Sequence, residues 1–244
     1  MKRDICTGIV DQIRQKAKGW STRHLSPAGK MTLLKAVLSA MPNHSMSCYK
    51  LPKSLCKRIQ SALIRFWWDS KPDERKISWV AWSTMTKSKR DGGLGFRDIQ
   101  CFNDALLAKL SWRIMNSPEC LLARIMKGKY FPYQDLLQAT APNSCSHGWR
   151  GILIGRNLLR DHLGWAIGDG ESASVWKDLW LSTSACECPI APPTKDSEFI
   201  KVAGLFLSSE REWDAGKVQA LLPHLKDNIL SIKPSKKGGP DKRI

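Results

Sequence analysis

Leu51-Pro52-Lys53-Ser54-Leu55-Cys56-Lys57-Arg58-Ile59-Gln60-Ser61-Ala62-Leu63-Ile64-Arg65-Phe66-Trp67-Trp68 is the stretch that decides the fold class. Leu55, Ile59, Ala62, Leu63 and Phe66 recur at intervals of three and four, the spacing of one buried helical face. Lys53, Lys57, Arg58 and Arg65 fall mainly on the remaining arc. Pro52 suits the first helical position, where its missing N–H leaves nothing unpaired. The helix closes in Trp67-Trp68, before the turn-rich stretch from Asp69 to Arg75.

The same signals extend outward. Ile9 to Lys18 reads as a short basic helix ending near Gly19 and Trp20. Ser26-Pro27 is a cap followed by a first-turn proline, and Leu33, Leu34, Val37 and Leu38 continue that helix to Pro42. A loop is expected from Asn43 to Tyr49. Beyond the tryptophan pair, Ile77 to Trp82 reads as a helix start with Ser78 as its cap, followed by a flexible loop at Asp91 to Phe96. Asn103 is expected to cap a helix carrying Leu106, Leu107, Leu110 and Ile114. Ser117-Pro118-Glu119 opens another through Leu121, Leu122, Ile125 and Met126, and Trp149, Ile152, Leu153 and Leu159 mark one more. The pattern then changes. Trp165 to Ile167 and Ala173 to Trp176 read as two short strands around Gly168-Asp169-Gly170. Ala191-Pro192-Pro193 is a linker, Asp214 caps a short helix through Val218, Leu221 and Leu222, and Lys233 to Ile244 is a Lys/Gly/Pro-rich tail. The expected fold is mainly α, with one small β-hairpin and a flexible C-terminal tail. Its divisions are 1–163 (basic and helical), 164–190 (the hairpin), and 191–244 (linker, short helix and tail).

The chain has 244 residues, 39 basic and 22 acidic, for a net charge of +17 at pH 7. Residues 1–150 hold +16 of that total, so the charge sits on folded elements more than on a tail. Such an excess points to a polyanionic partner, nucleic acid before acidic membrane. Lys50 to Arg90 is the densest segment, with eleven basic and three acidic residues, and it holds Trp67, Trp68, Trp79 and Trp82. Aromatic faces stack on bases and Lys or Arg neutralise phosphates; indoles at helical spacing also build cores, and both uses remain open here. The candidate nucleic-acid-binding residues are Lys53, Lys57, Arg58, Arg65, Lys76, Lys87, Lys89 and Arg90.

Several chemistries lack their residues. Two-metal polymerases and nucleases need clustered carboxylates, and the chain contains no Asp-Asp pair. Ala28-Gly29-Lys30-Met31-Thr32 fails as a phosphate loop, with His24 in place of the first glycine and Met31 in place of Ser or Thr. The eight cysteines suit free thiols in a reducing compartment; Cys186-Glu187-Cys188, the tight pair, lacks zinc-site spacing. The charged first twenty residues hold no apolar core for a secretory signal, and no apolar run approaches a membrane span. No catalytic residue, cofactor, metal, membrane or small-molecule substrate is expected.

Many ordered segments carry a likeness to one family. They include Gly19-Trp20, Leu25-Ser26-Pro27-Ala28-Gly29-Lys30, Leu34-Lys35-Ala36-Val37, Met46-Ser47-Cys48, Leu51-Pro52, Phe66-Trp67-Trp68 and Lys76-Ile77-Ser78-Trp79. Further along come Gly92-Gly93-Leu94-Gly95-Phe96-Arg97-Asp98, Phe102 through Lys109, Lys129-Tyr130-Phe131-Pro132, Trp149-Arg150, and Ile167-Gly168-Asp169-Gly170 through Trp176-Lys177-Asp178. Together they resemble plant LINE-type (non-LTR) retrotransposon reverse transcriptases, in order from about Ile9 to Trp180 and more loosely beyond. The resemblance implies the region after the polymerase fingers and palm, before a zinc-binding segment and a ribonuclease H-like domain. It implies origin in an RNA-directed DNA polymerase without its activity, because the family's catalytic aspartates belong upstream of Met1. Cys186 and Cys188 do not match the zinc ligands.

Two functions are left open. One is a non-catalytic, thumb-and-connection-like fragment that binds template and primer, as RNA or an RNA–DNA duplex, through phosphates and beside the polymerase core of the same element. The other is an inactive structural remnant of a degenerate retroelement. The expected compartment is intracellular and reducing, nucleus or mitochondrion.

Overall fold

The computed structural model describes residues 2–21, 25–69, 74–181, 187–189, 200–207, 212–235 and 239–244. It is mainly helical with one small antiparallel sheet. The helices are α1 (Lys2–Ser21), α2 (Pro27–Leu33), α3 (Asn43–Cys48), α4 (Lys53–Trp68), α5 (Trp82–Met85), α6 (Ile99–Asn116), α7 (Leu121–Tyr130), α8 (His147–Arg160), α9 (Ala215–Leu221) and α10 (Lys226–Ser231). The strands are β1 (Trp165–Ala166) and β2 (Lys242–Arg243). Among the described residues, no helix is long and apolar enough to cross a membrane. The chain divides into two compact units, Met1–Leu159 and Arg160–Ile244.

The first unit is built around α4. Leu55, Ile59, Ala62, Leu63 and Phe66 are all buried there, against Val10 and Ile13 of α1 and Leu34, Leu38 and Met46. The Ser26 hydroxyl accepts from the Gly29 N–H at 3.2 Å with Pro27 at the first position, as the cap signal requires. The helix passes at Leu34–Leu38 into a wider π turn, and the Ser39 hydroxyl donates to the Leu34 carbonyl at 2.7 Å. Pro52 is the capping residue itself, with extended ψ of 142°, and α4 starts one residue later.

Four local expectations are corrected here. Asn43 to Tyr49 is mostly the short helix α3, since Pro42 begins a turn instead of ending order. Ile77 to Val80 is not helical; the short turn of α5 starts only at Trp82, the first residue whose burial anchors it. Asn103 is not a cap, for Asp98 takes that role by accepting the Gln100 and Cys101 N–H groups, each at 2.9 Å. Asn103 lies inside α6 with no exposed surface. Its Oδ1 accepts the Leu51 N–H at 2.8 Å, and its Nδ2 donates to the Met46 and Tyr49 carbonyls at 2.7 and 3.0 Å. One side chain thus fixes the segment that leads into α4. The α7 start also shifts: Ser117-Pro118-Glu119 is a turn, and Cys120 Sγ accepts from the Ala123 N–H at 3.5 Å.

A second cluster in this unit surrounds the fully buried Trp149, which stacks on Tyr130 at 4.6 Å and Phe131 at 5.5 Å between ring centroids. Here α8 lies against α6 so closely that a Cβ on Gly155 would sit 2.3 Å from the Leu107 carbonyl. Ser111 of α6 donates to the Ile152 carbonyl at 2.7 Å across that contact.

The second unit has its own core of Ile167, Val175, Trp180, Val202, Leu205, Trp213, Val218 and Ile229. Asp214 caps α9 as its sequence position suggests, accepting from Gly216 and Lys217 at 3.0 and 3.1 Å. The sheet is antiparallel, but β1 pairs with β2 from the chain's end, not with Ala173 to Trp176. The cause is Asp241. Its two carboxylate oxygens accept the N–H groups of Gly168, Gly170, Ser172 and Ala173 at 2.7 to 3.1 Å, wrapping that loop around the C-terminal segment. Gly170 has φ of +73°, and a side chain there would meet the Ala203 backbone at 2.4 Å. The Lys233–Ile244 tail is therefore partly built into the fold, while Ala191-Pro192-Pro193 lies outside the described residues.

Candidate nucleic-acid interface

Helix α4 carries four basic residues and no acidic one. At 3.6 residues per turn, Lys53, Lys57, Arg65 and Arg58 span an arc of roughly 140°, separate from the buried face. All four are exposed. The helix dipole favours acids in a first turn and repels cations by about 0.3–1 kcal/mol each. This helix instead has no acid in its first turn and Lys53, Lys57 and Arg58 within its first two turns. Lys53, in the first turn, works against the dipole, and all four cations stay displayed.

The other end of α4 organises the remaining candidates. Asp69 caps it, with its carboxylate 3.6 Å from the Arg65 guanidinium and accepting the Lys76 backbone N–H at 3.0 Å. Arg65 is thereby partly neutralised by Asp69, whereas the Lys76 contact to Asp69 is made by its backbone N–H and its side chain is exposed. Lys87, Lys89 and Arg90 are exposed on the turn that follows α5. The Gly93 N–H donates to the Ser88 carbonyl and the Gly95 N–H to the Lys87 carbonyl, both at 2.9 Å. Trp82 stacks on Phe96 at 5.5 Å and Trp67 meets the same ring edge-on at 5.3 Å, so this turn is anchored at the C-terminal end of α4. The structure groups Lys53, Lys57, Arg58 and Arg65 on one helix face. It ties Lys76 and the Lys87–Arg90 turn to the end of that helix by separate contacts.

Two basic residues outside the candidate set shape this region. Lys30 donates to the Trp67 and Asp69 carbonyls at 3.3 and 2.7 Å, closing the C-terminus of α4. Burial pushes its ammonium below the usual lysine range, although Asp69 opposes the shift. Lys35 donates to the Leu94 carbonyl at 2.6 Å and sits 5.7 Å from the Phe96 ring centroid. The three partner carbonyls lie 37 to 59 residues away in sequence, so no local pattern marks these roles.

The tryptophans separate sharply. Trp82 is buried, Trp67 and Trp68 pack against the core, and Trp79 is 80% exposed. Ile77 beside it is 70% exposed. Among the described residues, no group of three or more His, Cys, Asp or Glu is placed to hold a metal. Cys186 lies outside them, and the Cys188 thiol donates to the Trp176 carbonyl at 2.8 Å, its pKa raised by burial and then by Asp178.

No family model matches the chain. It is 47% identical over 154 residues to the "Uncharacterized mitochondrial protein AtMg00310" of Arabidopsis thaliana, covering 63% of this chain and 98% of that protein. It is 32% identical over 222 residues to the "Putative ribonuclease H protein At1g65750" of the same plant. That alignment takes in 89% of this chain but only 36% of the longer relative. By its identity and near-complete coverage of the first relative, the chain belongs to the plant family of the mitochondrial protein AtMg00310.

Proposed function

We propose that the chain is a non-catalytic piece of a plant retroelement's RNA-directed DNA polymerase, holding template and primer by their phosphates with little sequence preference. The carrying observation is α4, with four exposed cations, no acid, and three of the cations within its first two turns. Both relatives are of a kind found among plant retrotransposon-derived sequences, and one is named for an enzyme of nucleic acid. The ordered resemblance to LINE-type reverse transcriptases supplies the polymerase context and the polymerase core as a partner. The compartment is nucleus or mitochondrion, the second supported by the mitochondrial name of one relative.

Fluorescence anisotropy on an RNA–DNA duplex across a salt series tests the reading. If all eight candidate cations meet phosphates, log affinity falls with log salt at a slope of about −6 to −7. Absence of binding at low salt overturns it and leaves the structural-remnant reading. The lack of any Asp-Asp pair further predicts no template-dependent primer extension with magnesium and deoxynucleotides. Extension above a heat-killed control contradicts the non-catalytic assignment.

A further inference from the structure

All eleven tryptophans lie within the described residues, and ten are buried or half-buried. Trp79 alone is exposed, at 80%. An indole carries a large apolar surface that folding normally removes from water. Trp79 stands on a segment outside any helix or strand, with Ile77 at 70% and Val80 at 39% exposure. Among the described residues, it is not part of the first unit's core.

The charge around it selects the occupant. Between Glu74 and Asp91 the chain carries Arg75, Lys76, Lys87, Lys89 and Arg90 against those two acids, and all five cations are exposed. A hydrophobic protein partner gains little from five solvated cations. A polyanion with flat apolar faces satisfies both features, and only unpaired nucleotides present such faces freely.

We propose that Trp79 is a stacking platform for an unpaired base, so that this region takes a single-stranded overhang beside the duplex held by α4. This rests on the phosphate-binding reading of α4 and adds a second ligand class, single-stranded nucleic acid, at a named residue. Stacking is an uncharged contact, so it raises affinity without changing the number of phosphates neutralised.

The test compares the full chain with its Trp79→Ala and Trp79→Phe forms on two probes, a blunt RNA–DNA duplex and the same duplex with a short uridine overhang. Trp79→Ala is expected to weaken overhang binding by about 5- to 150-fold with an unchanged salt slope. Binding to the blunt duplex stays the same, and Trp79→Phe retains most of the affinity for the overhang. Unchanged overhang affinity in Trp79→Ala overturns the stacking proposal while leaving duplex binding in place. Equal weakening on both probes overturns the single-strand assignment. A wild-type chain that binds neither probe overturns both readings. A wild-type dimer that Trp79→Ala converts to monomer, with overhang affinity unchanged, assigns the patch to a second copy of the chain.

Discussion

Replacing Asn103 tests whether one buried amide positions the entry to the basic helix. In Asn103→Ala the Leu51 N–H loses its acceptor and the Met46 and Tyr49 carbonyls lose a donor. A buried donor left unpaired costs about 1–3 kcal/mol. The carbonyls keep a second lone pair and add less, while the emptied amide volume adds about 1 kcal/mol. The sum is about 2–5 kcal/mol. For a unit of this size each kcal/mol moves the melting midpoint by about 2–4 °C, so a fall of about 5–20 °C is expected. Asn103→Asp separates geometry from volume. Its carboxylate can still accept from Leu51, but it turns an oxygen toward two carbonyls where the amide turned a donor. It is expected to be destabilised at pH 7 and to regain stability on acidification, because protonation restores one donor. Its folded pKa is therefore raised, the stabilising form is the protonated one, and stability is lost as pH rises. Urea or thermal unfolding followed by tryptophan fluorescence reads both variants. A change under about 0.5 kcal/mol in Asn103→Ala, or an Asp variant indifferent to pH, refutes this reasoning.

In the second unit, four N–H donors outweigh burial and hold the Asp241 carboxyl below the usual carboxylate range. A depressed folded pKa stabilises above the unfolded value of about 3.9 and is lost as pH falls through the folded one. Asp241→Asn should remove that acid-dependent part and loosen the strand pairing, seen as faster proteolysis of the C-terminal segment. Gly155→Ala should destabilise the first unit by about 1–3 kcal/mol, because its Cβ has 2.3 Å to the Leu107 carbonyl and must part α6 from α8. A urea midpoint matching that of the wild type would contradict the close packing.

What the sequence shows depends on how far the cause lies along the chain. The stripe of α4, the Ser26–Pro27 start and the Asp214 cap are local, and each stands where spacing and capping chemistry place it. Asn103 was legible as a polar residue near a helix start, but its partners lie 52 to 57 residues back, and Asp98 already met the cap requirement. The β1–β2 pairing depends on contacts with Asp241 across 68 to 73 residues, so the nearby Ala173–Trp176 run looked the better partner. The basic arc of α4 could be read from period alone. That Lys76 and the Lys87–Arg90 turn hang from the end of that helix required Asp69 and the Trp67–Phe96–Trp82 ring contacts. Composition gave Trp79 and Trp82 the same status three residues apart, and packing sends one outward and buries the other.

The most direct measurement is the salt dependence of RNA–DNA duplex binding by the Lys53→Ala/Lys57→Ala/Arg58→Ala chain beside the wild type. These side chains are exposed and lie off the buried stripe, so the variant should stay folded, with relief of the dipole repulsion at Lys53 stabilising it by up to about 1 kcal/mol. Loss of three phosphate contacts should flatten the log–log slope by about 2–3 units and weaken binding at every duplex sequence alike. A folded triple variant with unchanged affinity and slope would place the nucleic-acid interface elsewhere and contradict the account.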